Sequence, residues 1–201
     1  MSSNESLTAL FGLLSFCSDK AEELSEYLLS KYYTVAGVLS APMSALCEDE
    51  RVGKRIAVQL KLAGALLSRK ECAKYKLGVI HTAEETDNYL RAKFLTSSVE
   101  TVYLLSLDKS GRALGCDLVS SGTVNSSDIS PRTIVNFAIS RKADRVILAH
   151  NHPGGTAKPS DDDIVTTANI AHILRSAGVK LTRHVIVAPD GVYSINEPKD
   201  S

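Results

Sequence analysis

The chain has 201 residues, of which 44% are hydrophobic and 23% are charged, and its formal net charge is zero. This balance is typical of a globular protein, and a neutral chain has no overall field that would favour nucleic acid or a membrane as partner. No apolar run approaches the ~20 residues of a membrane span, and the start, MSSNESLTAL, lacks the basic region of a secretory signal. The scattered cysteines indicate reduced thiols in a cytoplasmic protein. They are Cys17, Cys47, Cys72 and Cys116.

The first 75 residues have the pattern of a small helical bundle. Apolar residues within Leu7–Leu14 fall on one helical face, and Ala21–Tyr33 predicts a second helix. Ser40–Leu46 predicts a short third element, and Arg51–Arg69 predicts a longer helix rich in Ala, Leu and Lys. We therefore predict a helical region over residues 1–75.

After this region the sequence alternates between helix and strand patterns. The segment Thr82-Ala-Glu-Glu85 is a capping box that opens a helix to about Leu95. Two strands follow, Thr101–Leu107 and Ala113–Ser120, and the turn Asp108–Gly111 joins them as a hairpin.

The last 70 residues continue this alternation. A helix begins at Ser130-Pro131, with Ser as N-cap and Pro at the first helical position, and runs to about Lys142. The elements after it are a buried strand Arg145–Ala149, a helix Ser160–Ala177 closed by Gly178, and strands Val179–Ala188 and Val192–Ile195. The part of the chain after residue 75 therefore predicts an α/β domain of about 120 residues with a mixed sheet.

One loop, AHNHPGGTAKPSDDD at residues 149–163, concentrates reactive side chains. Residues two apart on a strand face the same side, so His150 and His152 project together from a strand end, where α/β proteins tend to place active sites. Asp163 heads the next helix, and its S-x-x-D spacing from Ser160 is also that of an ordinary capping box. Two histidines and an aspartate form a zinc triad that leaves the fourth position to water. A structural zinc site would need a fourth protein ligand, typically cysteine, and no cysteine is near in sequence.

A hydrolytic zinc site also needs a carboxylate base that is not a ligand. Glu84 and Glu85 lie in the first turn of a predicted helix, where acidic residues are expected on electrostatic grounds. Glu100 leads directly into a core strand and has no such local role. Glu100 is therefore the candidate base, and a solvated strand end is the alternative.

These residues together resemble a known family. Glu100, His150-x-His152-Pro153, Ser160 and Asp163 are similar to the JAMM signature of JAB/MPN zinc metallopeptidases. The segments ETVYLLSLDKSG, SGTVNSSDISPR, ILAHNHPGG, KPSDDD and RHVIVAPDGVYS resemble the bacterial RadC branch of that class.

The resemblance covers about residues 79–201 and implies a deaminase-like α/β fold. It also implies that His150, His152 and Asp163 bind one Zn²⁺ per chain. By the same resemblance, Glu100 is the general acid/base and Ser160 is the hydroxyl that steadies an oxyanion. The bond cleaved would be a peptide or isopeptide bond in a peptide or protein substrate of unknown identity.

The sequence departs from the family pattern at three positions. Gly154 stands where the family usually has serine, Thr133 where it has glutamate, and Arg183 where it has aspartate. None of these changes a proposed ligand or Glu100, so they bear on substrate contacts and on the surroundings of the ligands. Among the other histidines, His184 is expected in the core or beside the ligands, and His81 and His172 at the surface or an interface.

The first half resembles the degenerate helix-hairpin-helix region of RadC-like proteins. A DNA-binding hairpin presents backbone N–H groups to phosphate at a glycine turn before a helix. The turn here, Glu48–Arg55, has the single glycine Gly53 and three acidic residues before it. The segment that follows is basic, and a solvated helix face is the alternative to phosphate binding. Its basic residues are Arg51, Lys54, Arg55, Lys61, Arg69, Lys70 and Lys74.

Two classes of function follow from these observations. The first is a zinc-dependent hydrolase. The second is a DNA-associated protein of repair or processing, in which the metal site is structural or acts on phosphodiesters. Weak, non-specific DNA binding would then use Arg51, Lys54, Arg55 and Lys61, and its affinity would fall with salt. No membrane partner is expected, and the oligomeric state is open.

Overall fold

The computed structural model describes residues 3–75, 82–122 and 129–196, and the chain divides into two units, Met1–Lys70 and Glu71–Ser201. The first unit is helical. Its helices are α1 (Ser3–Leu14), α2 (Ala21–Tyr32), α3 (Val35–Ser40), α4 (Met43–Glu48) and α5 (Gly53–Ala73). Leucines from α1, α2, α4 and α5 are fully buried in one core, because each helix turns an apolar face inward. They are Leu10, Leu14, Leu28, Leu46 and Leu60.

The short element predicted at Ser40–Leu46 corresponds to α4, which begins at Met43, whereas the preceding helix α3 was not predicted. Thr34 caps α3 by accepting a hydrogen bond of 2.9 Å from the Gly37 N–H. Ala41 then leaves the helical region, with φ −50° and ψ 141°, since the following Pro42 disfavours a helical residue before it. The new helix α4 begins after Pro42.

The second unit is an α/β structure, which confirms the predicted fold class. Its helices are α6 (Ala83–Phe94), α7 (Pro131–Ser140) and α8 (Asp161–Ser176). Its strands are β1 (Glu100–Leu107), β2 (Ala113–Gly122), β3 (Arg145–Asn151), β4 (Lys180–Ala188) and β5 (Gly191–Asn196).

The five strands form one mixed sheet in the order β2-β1-β3-β4-β5. β3 lies at the centre, antiparallel to β1 and parallel to β4, and its sequence RVILAHN is buried along almost its whole length. The parallel pair requires a crossover connection, and α8 supplies it. The loop from β3 to α8 therefore lies at the carboxyl end of the central strand.

Helices cover both faces of the sheet, so the unit is a three-layer sandwich. On one face Val102, Leu104 and Leu148 pack with residues of α7 and α8. On the other face Leu105 and Ile147 pack with residues of α6. Strand alternation explains the division, because successive residues of β1 and β3 contribute to opposite cores.

Local signals fix the ends of these helices. Thr82 and Glu85 form the predicted capping box of α6. Ser130 is the residue before α7 and Pro131 its first residue, as predicted, although the Ser130 side chain makes no capping hydrogen bond. Gly178, with φ +74°, ends α8 in a Schellman motif, because the N–H of Val179 reaches the carbonyl of Leu174. Within the described ranges no helix has both the length and the apolar character to cross a bilayer.

Candidate metal centre

The cluster of reactive side chains is held by the end of β3 and the start of α8. β3 ends at Asn151, and the N–H of His152 continues the pairing with β4 through a 2.8 Å hydrogen bond to the Val187 carbonyl. Gly154 adopts φ +76°, a conformation that glycine reaches without strain, and turns the loop. The Ala157 N–H then bonds to the Asp190 carboxylate at 2.9 Å, which ties the loop to the β4–β5 turn.

Three side chains converge at this point. The Nε2 atoms of His150 and His152 are 2.8 Å apart. One carboxylate oxygen of Asp163 lies 3.2 Å from Nε2 of His150, and the other lies 3.5 Å from Nε2 of His152. Their possible metal-binding atoms all lie within 4.8 Å of one another. The structure thus brings together the three residues that the sequence singled out as ligands.

The ring of His152 is oriented by the loop itself. Its Nδ1 lies 2.8 Å from the carbonyl oxygen of Thr156. A carbonyl only accepts hydrogen bonds, so Nδ1 carries a proton, and in the neutral ring Nε2 has the lone pair. That lone pair is directed towards the other two side chains of the cluster.

The ring of His150 is held from behind by a second histidine. Nδ1 of His150 lies 2.7 Å from Nε2 of His184, and Nδ1 of His184 lies 2.6 Å from the hydroxyl of Thr167 on α8. His150 and His184 are both buried. The expectation that His184 lies in the core or beside the ligands agrees with this position.

The environment favours the protonation states of His150 and Asp163 that a metal requires. Burial lowers the pKa of His150 to about 4 and that of His184 to about 3, so both are neutral at pH 7. Burial alone would raise the pKa of Asp163, but hydrogen bonds from the hydroxyl and the N–H of Ser160 hold the pKa below its usual value. Neutral imidazoles and an ionised carboxylate are the forms that bind Zn²⁺.

The spacing of the donor atoms also fits zinc. A tetrahedral site with Zn–N and Zn–O distances of about 2.0–2.1 Å separates its ligand atoms by roughly 3.3 Å. The two contacts of Asp163, at 3.2 and 3.5 Å, are close to that value. The Nε2–Nε2 distance of 2.8 Å is shorter than that value. The residues present therefore fit a zinc ion.

Glu100 begins the strand next to the histidines. It is the first residue of β1, and Val102, two residues on, is the register partner of His150. Alternation along β1 therefore directs the half-buried Glu100 to the same face of the sheet as Val102 and His150. By contrast, Glu84 and Glu85 lie at the start of α6, which packs on the opposite face.

Asn151 connects the strand of Glu100 to the strand of the histidines. Its side-chain oxygen accepts from the Thr101 N–H at 2.8 Å, and its side-chain nitrogen donates to the Val99 carbonyl at 3.2 Å. These two backbone groups flank Glu100. Asn151 thus fixes the backbone on both sides of Glu100 relative to its own neighbours, His150 and His152.

Ser160 contacts the cluster through Asp163. Its hydroxyl donates to an Asp163 carboxylate oxygen at 2.7 Å and accepts from the Asp163 N–H at 3.1 Å. The Ser160 N–H donates to the same oxygen at 2.8 Å. The two interpretations of S-x-x-D coexist: the residues form a capping box, and Asp163 still turns its other oxygen to His150.

Other residues of the sequence analysis lie away from the cluster. Arg183 donates to Asp87 and Ser194, both at 2.6 Å, and its partner Asp87 belongs to α6 on the other face of the sheet. His172 is exposed on α8. His81, and residues 123–128 of the segment SGTVNSSDISPR, lie outside the described residues.

Sequence reasoning missed three residues that hold the cluster: Asn151, Thr156 and Thr167. Thr167 had a usable signal, because it follows Asp163 by four residues and therefore lies on the same helical face. Thr156 acts through its backbone carbonyl, which leaves no trace in residue type. The contacts of Asn151 depend on the pairing of β1 with β3, which spacing alone did not reveal.

Comparisons with known proteins agree with this architecture. The RadC-like JAB domain family matches residues 80–200. The chain is 29% identical to UPF0758 protein HEAR2468 of Herminiimonas arsenicoxydans over 196 residues, 97% of this chain and 88% of that protein. It is 31% identical to UPF0758 protein BAV2405 of Bordetella avium over 179 residues, 88% of this chain and 79% of that protein. The chain therefore belongs to the RadC-like JAB domain family.

Proposed function

We propose that the protein is a zinc-dependent hydrolase of the JAMM type that cleaves a peptide or isopeptide bond. The observation that carries the proposal is the convergence of His150, His152 and Asp163 within 4.8 Å at the carboxyl end of the central strand. Among the described residues, these three side chains are the ones that lie close enough together to bind one metal ion. Three protein ligands leave a fourth position open for water or substrate, which is the usual arrangement of a catalytic zinc site.

In this proposal His150, His152 and Asp163 hold the metal. Bound Zn²⁺ supplies Lewis acidity, which polarises a carbonyl group and lowers the pKa of water towards about 7. The protein buries His150, whereas the side chains of His152 and Asp163 remain 19% and 18% exposed.

Glu100 is the proposed general base and acid. Its place at the start of β1, on the face of the sheet that carries His150, supports this role. In the reaction Glu100 accepts a proton from the attacking water and passes it to the leaving amine nitrogen. The Asn151 bridge to both sides of Glu100 supports the role further, because a base must be held within hydrogen-bond reach of its proton.

Ser160 has two proposed roles that compete for one proton. As an oxyanion donor, its hydroxyl would point at the tetrahedral oxygen that develops during attack. In the structure its proton is directed to Asp163 at 2.7 Å. We therefore propose that Ser160 orients Asp163 before substrate binds and turns its hydroxyl to the oxyanion during the reaction.

The proposal is tested with a proteome-derived peptide library as substrate and mass spectrometry of new N-termini as readout. Zinc-loaded protein should produce new termini, and the Glu100→Gln variant should keep its zinc and lose about two to four orders of magnitude in rate. Glu84→Gln is the matched control, because Glu84 is exposed in the first turn of α6, which packs on the other face. No cleavage by the loaded wild type, or loss of zinc in Glu100→Gln, would contradict the roles assigned.

A second candidate function, weak DNA binding by the helical unit, has one observation in its favour. The acidic Asp49 before the α5 turn is occupied inside the unit, where Tyr27 and Lys31 donate to its carboxylate at 2.6 and 2.8 Å. Lys54 and Arg55 are exposed in the first turn of α5. We propose that any DNA binding is electrostatic and uses these two cations on phosphate groups.

A further inference from the structure

A continuous row of hydrogen-bonding groups runs behind the ligand nitrogen of His150. It starts at the main-chain carbonyl of Asp163, which lies 2.5 Å from the Thr167 hydroxyl. The hydroxyl lies 2.6 Å from Nδ1 of His184, and Nε2 of His184 lies 2.7 Å from Nδ1 of His150. Thr167, His184 and His150 are buried, so their polar groups form hydrogen bonds with one another and not with solvent.

The direction of each hydrogen bond in this row follows from counting protons. The Asp163 carbonyl only accepts, and Thr167 has a single hydroxyl proton, so that proton points to the carbonyl. The Thr167 oxygen can then only accept from His184, so Nδ1 of His184 carries a proton. A neutral imidazole has one N–H, which leaves Nε2 of His184 as an acceptor. Nδ1 of His150 must therefore carry a proton and donate it to His184.

We propose that Thr167 and His184 are positioning residues that fix His150 in the tautomer that binds metal. With its proton on Nδ1, His150 presents the Nε2 lone pair to His152 and Asp163. The opposite tautomer would place an N–H where the ligand lone pair is needed. Within the row it would also bring two acceptors together at 2.7 Å or, if His184 followed, at 2.5 Å between Thr167 and the Asp163 carbonyl. On the other side of the ring, the Nδ1–H tautomer sets the Nε2 lone pair of His150 2.8 Å from Nε2 of His152, and a metal ion held by both nitrogens would relieve that contact.

Both ligand histidines direct their Nδ1 proton towards a main-chain carbonyl, but by different routes. His152 reaches a carbonyl directly, at Thr156, whereas His150 reaches one through two side chains. The carbonyl at the end of the row belongs to Asp163, which is itself a member of the cluster. A ligand residue thus sets the protonation pattern of another ligand, and side chains on β3, β4 and α8 must all be in register for it to work.

This inference rests on the proposed zinc site, since it concerns how one ligand is oriented. The tautomers can nevertheless be measured in metal-free protein. The probe is ¹⁵N-imidazole NMR, in which the two neutral tautomers give different nitrogen shifts and couplings. We expect His150 and His184 of the wild type to show the Nδ1–H tautomer. Exposed His172 on α8 is the internal control.

Variants at Thr167 separate the hydroxyl from the packing. Thr167→Val keeps the shape and removes the proton, so His150 should lose its single tautomer and zinc affinity should fall about 10- to 100-fold in competition with a chelator. Thr167→Ser keeps the hydroxyl and should restore both the tautomer and the affinity. If Thr167→Val fails to fold, Thr167→Ala serves in its place, with circular dichroism as the check.

Two results would overturn the inference. One is an Nε2–H tautomer of His150 in the metal-free wild type. The other is a Thr167→Val variant whose His150 tautomer and zinc affinity equal those of the wild type. A different result would contradict the proposed function alone. If the wild type shows the expected tautomers but binds no zinc, the positioning roles of Thr167 and His184 stand and the zinc site is wrong.

Discussion

The side-chain oxygen of Asn151 accepts a 2.8 Å hydrogen bond from the backbone N–H of Thr101. The same side chain donates to the Val99 carbonyl, so one buried amide group bonds to the backbone on both sides of Glu100. Asn151 lies between the two histidines of the cluster in sequence. The start of the strand that carries the proposed base is thus joined to the end of β3, which carries His150 and leads into His152.

Asn151→Ala should separate the base from the ligands without removing either. We expect the variant to retain zinc, to cleave the peptide library more slowly, and to exchange the Thr101 amide proton faster, because that N–H loses its partner. Hydrogen exchange measured by NMR checks this without a known substrate. Asn136→Ala, at an exposed position of α7, is the control. Unchanged protection at Thr101 would show that the bridge is not what holds this strand end.

Ser160→Ala should affect both the helix and the metal. The N-cap of α8 is lost, which costs about 1 kcal/mol of stability in urea unfolding. Asp163 also loses a hydrogen bond to its carboxylate, so zinc affinity should fall about 10-fold or more.

Two variants control this experiment. Ser160→Thr keeps the hydroxyl and should remain near the wild type in stability and affinity. Ser176→Ala removes an exposed hydroxyl at the other end of α8 and should leave zinc binding unchanged. If Ser160→Ala lowers stability and zinc affinity no more than Ser176→Ala, the orienting role of Ser160 is wrong.

The family, the fold class and the convergence of the histidine loop were predictable, because they depend on local patterns. The T-x-x-E box, the Ser130-Pro131 start and the alternation of β1 and β3 each act over a few residues. The row behind His150 was not predictable, because it joins Thr167 to His184 and His184 to His150 across 17 and 34 positions. Such contacts depend on the crossover of α8 and on the register of β4.

Salt dependence distinguishes the DNA candidate from a solvated helix face. Changing Lys54 and Arg55 to Ala together should reduce the slope of log affinity against log salt by roughly two units, about one for each phosphate group that is no longer neutralised. Fluorescence anisotropy at several salt concentrations measures it. Lys109 and Lys142, exposed in the other unit, provide a double variant that removes the same charge. Tight, salt-insensitive binding would refute the electrostatic account, and no binding even at low salt would leave a solvated helix.

Lys61 should behave differently from its basic neighbours. Its ammonium donates to the carbonyls of Leu39 and Ala41 at 2.9 and 3.0 Å, and burial lowers its pKa. Lys61→Met removes these bonds at the end of α3 and should reduce the free energy of unfolding by about 1–3 kcal/mol. Lys54→Met removes an exposed charge and should change it by less than about 0.5 kcal/mol. Urea unfolding followed by circular dichroism compares the two, and equal effects would contradict the internal role of Lys61.

Metal location tests the central claim most directly. Crystals of the zinc-loaded protein, measured at the zinc absorption edge, should show one anomalous peak per chain. It should be bound by Nε2 of His150, Nε2 of His152 and a carboxylate oxygen of Asp163, with a non-protein fourth ligand. His150→Ala and His152→Ala should lose the peak, and His172→Ala should keep it. Absence of a peak in the wild type, or a peak bound by a cysteine or by Glu100, would contradict the proposed zinc hydrolase.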